Sequence, residues 1–257
     1  MGQASFFSLS GSQPERAVAY EVATRLVELR DNQDSALISA ADIVLSRIGN
    51  FPGRSLLRRR YLDGEERVPS APARLSLERI ARELENSVEG PDQGRLSLTD
   101  FQHQLLRALD KTSSVSVSAP TSAGKSFILA LDLIRRLRKG GPACVIYIVP
   151  TRALIREVTM TLRESLRRAR MEAIPVRSAP FPISMAQAPL GAVFILTPER
   201  LMSLLNSRNS NQWITTLVVD KAQNIRDNAR GIVLQTAIEA VLTRHPQAEV
   251  HFCQPLI

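Results

Sequence analysis

Two cysteines, one tryptophan and three histidines are all that this 257-residue chain holds for disulfide, soft-metal or imidazole chemistry. Cys144 and Cys253 each lie in an apolar, strand-like run, which makes them buried free thiols, not a disulfide or a metal pair. His103, His245 and His251 form no metal-ligand spacing, which argues against a zinc site. Aromatic residues make up only 5% of the chain, so stacking on many bases cannot dominate any nucleic-acid binding. No apolar run is long enough to cross a bilayer. The start, Met1-Gly2-Gln3-Ala4-Ser5-Phe6, has no basic flank of a secretory signal, and Phe6 stands where a myristoylation signal needs Ser or Thr. A cytoplasmic protein with no membrane partner is therefore expected. The chain also lacks internal repeats and low-complexity tracts.

What is present is an ordinary globular composition, 44% hydrophobic and 23% charged, with a net charge of +8 that suits a polyanionic partner. Basic clusters occur at Arg58-Arg59-Arg60, Arg135-Arg136-Leu137-Arg138-Lys139 and Arg167-Arg168-Ala169-Arg170. The last two fall at predicted helix ends, where cations favour the dipole and solvent. The first, beside Tyr61, reads equally as a solvated loop or as a nucleic-acid contact.

Residues 1–95 read as mostly helical. Helical periodicity runs from Pro14 to Leu29 and from Asp34 to Ile48, and Gly49-Asn50-Phe51-Pro52-Gly53 ends the second helix. A loop follows around Asp63-Gly64 and Pro69–Pro72. A third helix spans about Ser76–Asn86, with Leu77, Ile80, Ala81 and Leu84 on one face. The turn residues Gly90-Pro91-Asp92-Gln93-Gly94 mark the boundary between a helical accessory region, 1–95, and a second domain, 96–257.

Beyond Gly94 strands and helices alternate. Strands are predicted near Val115–Ser118, Ala143–Val149, Glu172–Val176, Val193–Leu196, Thr215–Val219 and Val250–Cys253. Helices are predicted at Asp100–Asp110, Lys125–Lys139, Thr151–Arg170, Glu199–Leu205 and Gly231–Arg244. Short continuous apolar runs such as Leu217-Val218-Val219 suit strands buried on both faces. The fold class is α/β: a mostly parallel sheet with helices on both faces, preceded by a helical extension.

The most informative segment is Ala119-Pro120-Thr121-Ser122-Ala123-Gly124-Lys125-Ser126. It follows a β-branched run and opens into a helical pattern beginning at Phe127, the order that a phosphate-binding loop requires. Gly124 lets backbone approach a phosphate, and the N–H groups of the turn and first helical turn face an anion. Lys125 suits the β- and γ-phosphates and the Ser126 hydroxyl suits Mg²⁺. Ala119 stands where the usual pattern begins with glycine. Such a loop also needs an acidic residue to hold Mg²⁺ at a buried strand end, and Asp220 closes the run Thr215–Val219.

Two further strand-to-helix turns carry polar groups. Pro150-Thr151-Arg152 presents a hydroxyl and a guanidinium at a helix start. In Thr197-Pro198-Glu199-Arg200, Thr197 suits an N-cap and Pro198 the first helical position. Well-capped helices without a ligand account for either turn alone; together, beside a nucleotide loop, they suit the phosphates of a single strand.

These segments, in this order, resemble the superfamily 2 DExD/H-box helicases. Pro120–Ser126 is similar to their motif I, Pro150–Leu154 to motif Ia, Thr197–Leu201 to the next nucleic-acid motif and Asp220-Lys221-Ala222-Gln223 to motif II. The resemblance covers about residues 100–225 and implies the first RecA-like lobe of an ATP-dependent helicase. It implies that ATP and Mg²⁺ are held by Pro120, Thr121, Ser122, Ala123, Gly124, Lys125, Ser126 and Phe127, with Asp220 on the metal. Gln102, or alternatively Gln104, would read adenine. Gln223 would sense the γ-phosphate and link to a second lobe. Pro150, Thr151, Arg152, Thr197, Pro198 and Arg200 would track single-stranded DNA or RNA, with salt-sensitive binding.

The chain departs from that pattern at Lys221, where the family has the glutamate that positions and helps deprotonate the attacking water. An ammonium group cannot accept that proton unless its pKa falls strongly. ATP binding is expected to survive, and hydrolysis to drop by about 10²–10⁴-fold. The family's Ser-Ala-Thr-like strand end is matched here by Phe252-Cys253-Gln254-Pro255, and the sequence stops at Ile257 where the second lobe is expected. That lobe supplies arginines worth about 10³–10⁵ in rate in related NTPases. The competing readings are a nucleotide-gated binding or assembly module that does not hydrolyse, and a P-loop ATPase without nucleic acid. The two polar turns argue against the latter.

Overall fold

The computed structural model describes residues 8, 12–29, 35–61, 72–112, 114–139, 142–207, 212–222 and 228–255. These form two compact units: one reaches Glu89 and includes Arg95–His103, and the other comprises Gly90–Gly94 and Gln104 onward.

The first unit contains helices α1 (Gln13–Leu29), α2 (Ser35–Arg47), α3 (Phe51–Tyr61) and α4 (Ala73–Glu85), with the antiparallel strands β1 (Ser87–Glu89) and β2 (Arg95–Ser97). Its apolar core is small: Ala19, Ala23, Val27, Ile38, Ala41, Val44, Leu45 and Leu57. Charge supplements it. The fully buried Asp42 accepts from Arg54 Nε at 2.9 Å and Arg79 Nη1 at 3.2 Å, with Arg58 Nε 3.5 Å away. Arg54, itself buried, also donates to Glu83 at 2.9 Å. Asp100 gathers Arg16 at 2.6 Å, Arg82 at 3.0 Å and Asn86 at 2.7 Å.

Two features here differ from the sequence expectation. The segment after Gly49 is helix α3, not a loop, because Pro52 sits in a first helical turn, where its missing N–H costs nothing. The cluster Arg58-Arg59-Arg60 thus lies in a helical last turn. The apolar stripe of α4 is turned outward: Leu77, Ile80 and Leu84 are exposed, while Glu78, Arg79, Arg82 and Glu83 make the ion pairs. Periodicity locates a stripe but not the side on which its partner stands; here buried carboxylate and guanidinium groups claimed the inner face.

α2 ends in a Schellman turn. Gly49 has φ +70°, Asn50 N–H donates to Leu45 O at 2.8 Å and Gly49 N–H to Ser46 O at 3.0 Å. A β-carbon at Gly49 would fall on the carboxylate of Asp100.

Helix α5 (Asp100–Lys111) carries the chain from the first unit into the second. There a six-stranded, wholly parallel sheet has the order β3-β8-β7-β4-β6-β5. The strands are β3 (Ser114–Ala119), β4 (Ala143–Ile148), β5 (Val176–Arg177), β6 (Gly191–Leu196), β7 (Thr216–Asp220) and β8 (Glu249–Pro255). The connecting helices are α6 (Lys125–Arg138), α7 (Arg152–Arg168), α8 (Pro198–Leu205) and α9 (Asn228–Arg244). The chain steps outward from β3 to β5, then returns through β7 to β8. Right-handed crossovers therefore put α6 and α7 on one face and α8 and α9 on the other.

β4, β6 and β7 are buried on both faces, with Ile146, Phe194, Ile195, Leu217 and Val219 at 0% exposure. Each such side chain contributes about 1.5–3 kcal/mol. The strand expected over Glu172–Val176 is reduced to Val176–Arg177, because residues 172–174 turn and Pro175 offers no N–H to a ladder. At the amino-terminal end of the sheet Arg136 ties α6 to its surroundings through Asp132 at 2.5 Å, Glu249 and the Leu109 carbonyl at 3.1 Å. Both cysteines are buried free thiols. Among the described residues no helix is long and apolar enough to cross a membrane.

Candidate functional site

A wholly parallel sheet delivers all its carboxyl ends to one edge, the edge where ligands bind in open α/β folds. β3 ends at Ala119, a 3₁₀ turn spans Thr121–Ala123, and Gly124 at φ +81° and ψ +27° swings the chain into α6. Only glycine takes that left-handed conformation without steric cost. Ser122 and Phe127 are exposed, Ala123 half-buried, and Lys125 buried at the first helical position. The side chain of Thr121 lies outside the described residues.

Lys125 Nζ donates to two carbonyls of its own loop, Ala119 O and Pro120 O, the latter at 2.8 Å. An ammonium has three donors. One remains for a phosphate while the other two hold the loop carbonyls.

Two strands away β7 ends at Asp220, next to Lys221, a non-glycine residue at φ +58°. Lys125, Ser126, Tyr147, Glu157, Asp220 and Lys221 all line one cavity of about 500 Å³. That volume lies within the range of small-molecule sites. Burial pushes the Asp220 carboxyl above its ordinary range, opposed by the Lys221 backbone N–H and by the charges of Lys221 and Lys125. Tyr147, buried in β4, lines the same cavity, and burial followed by the charge of Asp220 raises its phenol well above the usual value. Burial likewise raises Cys253, opposite Asp220 in β8, to about 12, so its thiol is inert.

Hydroxyl and carboxylate oxygens are the donors a hard divalent cation takes. Among the described residues no group of three or more His, Cys, Asp and Glu side chains makes a metal cage of its own. The residues present therefore fit a cation that arrives with a phosphate-bearing ligand.

A second cavity of about 550 Å³ gathers Pro150, Thr151, Arg152, Thr197 and Arg200, with Pro180, Glu199 and Ser203. β4 and β6 are paired, Ile148 opposite Leu196, so the helix starts that follow them stand side by side. Thr151 and Thr197 both occupy N-cap positions in extended conformation, and neither side chain makes a capping bond. Both residues line the cavity, alongside two helix N-termini, a setting that favours anions. Pro198 is buried at the first helical position of α8. Arg200 Nη1 donates to Ser178 O at 2.7 Å, fixing the loop before β6.

Gln102 belongs to the first unit. Its side chain accepts from Thr99 N–H at 3.0 Å, and its own N–H donates to Thr99 Oγ1 at 3.2 Å. This is a capping box for α5. The segment Thr99-Asp100-Phe101-Gln102 carries its sequence signature. Gln104, exposed, is the first residue of α5 in the second unit. Gln223 lies outside the described residues. The sequence reading missed Tyr147 and Glu157. A signal for Tyr147 existed: a phenol inside the otherwise apolar run Val145–Val149 needs a buried partner.

The sequence description of the DEAD/DEAH box helicase family matches residues 99–253. The ATP-dependent DNA helicase Hel308 of Aeropyrum pernix is 29% identical over 156 residues, 60% of this chain and 20% of that protein. The Hachiman protein HamB of Bacillus cereus is 26% identical over 149 residues, 55% of this chain and 13% of that protein. The chain thus spans a fifth or less of these curated relatives. The crystal structure of the DUF1998 helicase MrfA bound to DNA superposes with a TM-score of 0.50 at 17% identity, covering 63% of this chain and 24% of that one, a likeness of fold. With more than half its length matched by the family description, the chain belongs to the DEAD/DEAH box helicases.

Proposed function

We propose that the chain is the ATP-binding lobe of a nucleic-acid helicase or translocase, that it holds ATP with Mg²⁺ and single-stranded DNA or RNA, and that Lys221 cripples its hydrolysis. The observation that carries this reading is the shared edge: Lys125, Ser126 and Asp220 around one cavity, and the Thr151 and Thr197 turns around another, all at the carboxyl ends of parallel strands. Gly124 and the start of α6 would cradle the phosphates, Lys125 their charge. Ser126 and Asp220 would hold Mg²⁺, which when bound neutralises phosphate charge. Thr151, Arg152, Thr197 and Arg200 would grip the sugar–phosphate backbone without reading sequence. Gln102 or Gln104 would contact adenine and Gln223 the γ-phosphate, and a second RecA-like lobe would bring the arginines that complete turnover.

The second reading, a nucleotide-gated binding or assembly module, is favoured by Lys221 itself. It lines the cavity where a carboxylate base is needed, and it draws Asp220 and phosphates together by charge. Binding of labelled ATP and of a labelled single strand, each at two salt concentrations, tests both readings alongside steady-state phosphate release. We expect Mg²⁺-dependent ATP binding, strand binding that weakens steeply with salt, and negligible turnover. Absence of ATP binding removes the whole reading. Turnover at an ordinary helicase rate removes the role given to Lys221. Persistent lack of turnover when a second lobe is supplied selects the gating module.

A further inference from the structure

The connection between β5 and β6 runs from Ser178 to Leu190 without helix or strand. Its apolar side chains divide: Ile183 and Ala188 join the core, while Phe181, Met185 and Leu190 are exposed. A single exposed apolar side chain is ordinary at a protein surface. Phe181, 66% exposed, is set apart by how it is held and by what adjoins it.

Two hydrogen bonds fix the segment on either side of the ring. The Ser178 carbonyl accepts from Arg200 Nη1 at 2.7 Å. The Ile183 N–H donates to Oε1 of the buried Gln212 at 2.9 Å, and Ile183 is itself buried. Between these ties stand Ala179-Pro180-Phe181-Pro182. Each proline fixes its own φ and steers the residue before it towards extended backbone. The ring is thus carried on a short, stiff span between two anchors, and a ligand that meets it has little loop to order.

Pro180, the residue before the ring, lines the cavity of the Thr151 and Thr197 turns. Arg200, the residue that holds Ser178, lines it too. The side chains around that cavity are hydroxyls, guanidiniums, a carboxylate and prolines, and none is aromatic. They suit sugar and phosphate but offer no flat face to a base. A single strand brings both, since every phosphate in it adjoins a base. Phe181 supplies, next in the chain to the cavity wall, the apolar ring that the wall lacks.

We propose that Phe181 is a stacking platform for one base of the bound single strand, beside the turns that hold its phosphates. The inference rests on the strand-binding reading and deepens it, adding a base contact to a backbone grip. Stacking tolerates any sequence because every base has a π-face. One such ring also accords with a chain too poor in aromatics to stack on many bases.

The test uses the full chain and fluorescence anisotropy with two labelled strands of equal length and charge, oligo-dT and its abasic counterpart. For Phe181→Ala we expect affinity for oligo-dT to fall about 10-fold, with affinity for the abasic strand and the salt dependence of binding unchanged, because no phosphate contact is removed. The ring lies outside the core, so its loss leaves no cavity, and the thermal midpoint should stay in place. Equal affinity of Phe181→Ala and the unaltered protein for oligo-dT overturns the proposal and leaves the ring to a protein partner. An equal loss on both strands overturns it as well, since the ring would then act on the backbone grip and not on a base.

A second variant reads stacking directly. The chain has one tryptophan, Trp213, whose Nε1 donates to Pro142 O at 2.9 Å. Phe181→Trp adds an indole at the proposed platform. Its emission, taken as the difference from the unaltered protein, is expected to be quenched by oligo-dT and not by the abasic strand. Absence of quenching when oligo-dT is bound overturns the proposal. Failure of the unaltered protein to bind either strand at low salt removes the strand-binding reading, and this proposal with it.

Discussion

Asp42 and Asp220 are both carboxylates withdrawn from bulk water, one in each compact unit, and they are treated in opposite ways. Asp42 is enclosed by Arg54, Arg58 and Arg79, with every approach taken by protein charge. Asp220 has the two lysines, one phenol and an open cavity of about 500 Å³ beside it. The first arrangement holds helices together around a thin apolar core. The second leaves charge uncommitted on a frame that aliphatic strands already hold. Buried ionisable groups become chemical equipment when space for a ligand adjoins them, and structural ties when partners fill that space.

The sharpest challenge to this contrast is Lys221→Glu. Restoring a carboxylate beside Asp220 is expected to raise steady-state phosphate release by about 10²–10⁴-fold, read by a coupled phosphate assay. No change would mean that Lys221 is not what limits turnover.

Neutralising the two aspartates in turn comes next. Asp42→Asn leaves three arginines facing one remaining carboxylate, Glu83, and is expected to cost about 3–5 kcal/mol in urea denaturation, without altering ATP binding. Asp220→Asn is expected to leave stability unchanged or slightly higher at neutral pH, since burial holds that carboxyl above its ordinary range. Mg²⁺-dependent ATP binding should be lost. Similar stability losses for both variants would break the comparison.

A smaller effect concerns His251, 1% exposed in β8 with Nε2 3.5 Å from Glu249. Burial, then the charge of Arg136, lowers its pKa from 6.5 to about 4, against the pull of Glu249. The unfolded chain therefore binds a proton that the folded chain refuses. Stability from this residue is complete above about pH 6.5 and is lost as pH falls toward 4. In urea midpoints measured across that window, His251→Leu should flatten the acid-side slope. An unchanged slope would place the acid sensitivity elsewhere.

What the sequence revealed of this fold and site divides along contact range. The loop Ala119–Ser126, the turns at Thr151 and Thr197, and Asp220 at a strand end were legible because each is a contiguous segment with a distinct residue order. The strand–helix alternation was legible too, since apolar runs buried on both faces leave few other readings. Tyr147 was not, because its place in the cavity depends on β4 lying beside β7. The orientation of α4 was hidden for the same reason, its inner face being chosen by Asp42, Arg54 and Asp100 from distant segments. Gln102 teaches the converse: its capping-box spacing was local and readable, yet the motif position drew attention to adenine first.

Gly49 carries a consequence for how the first unit tolerates change. Backbone hand and available room are separate demands there, and both are refused by any side chain. Cutting Asp100 back to alanine would vacate the room and leave the wrong hand, while also releasing Arg16, Arg82 and Asn86. No single compensating substitution can rescue position 49, so drift at this corner of the chain has to proceed through several residues at once.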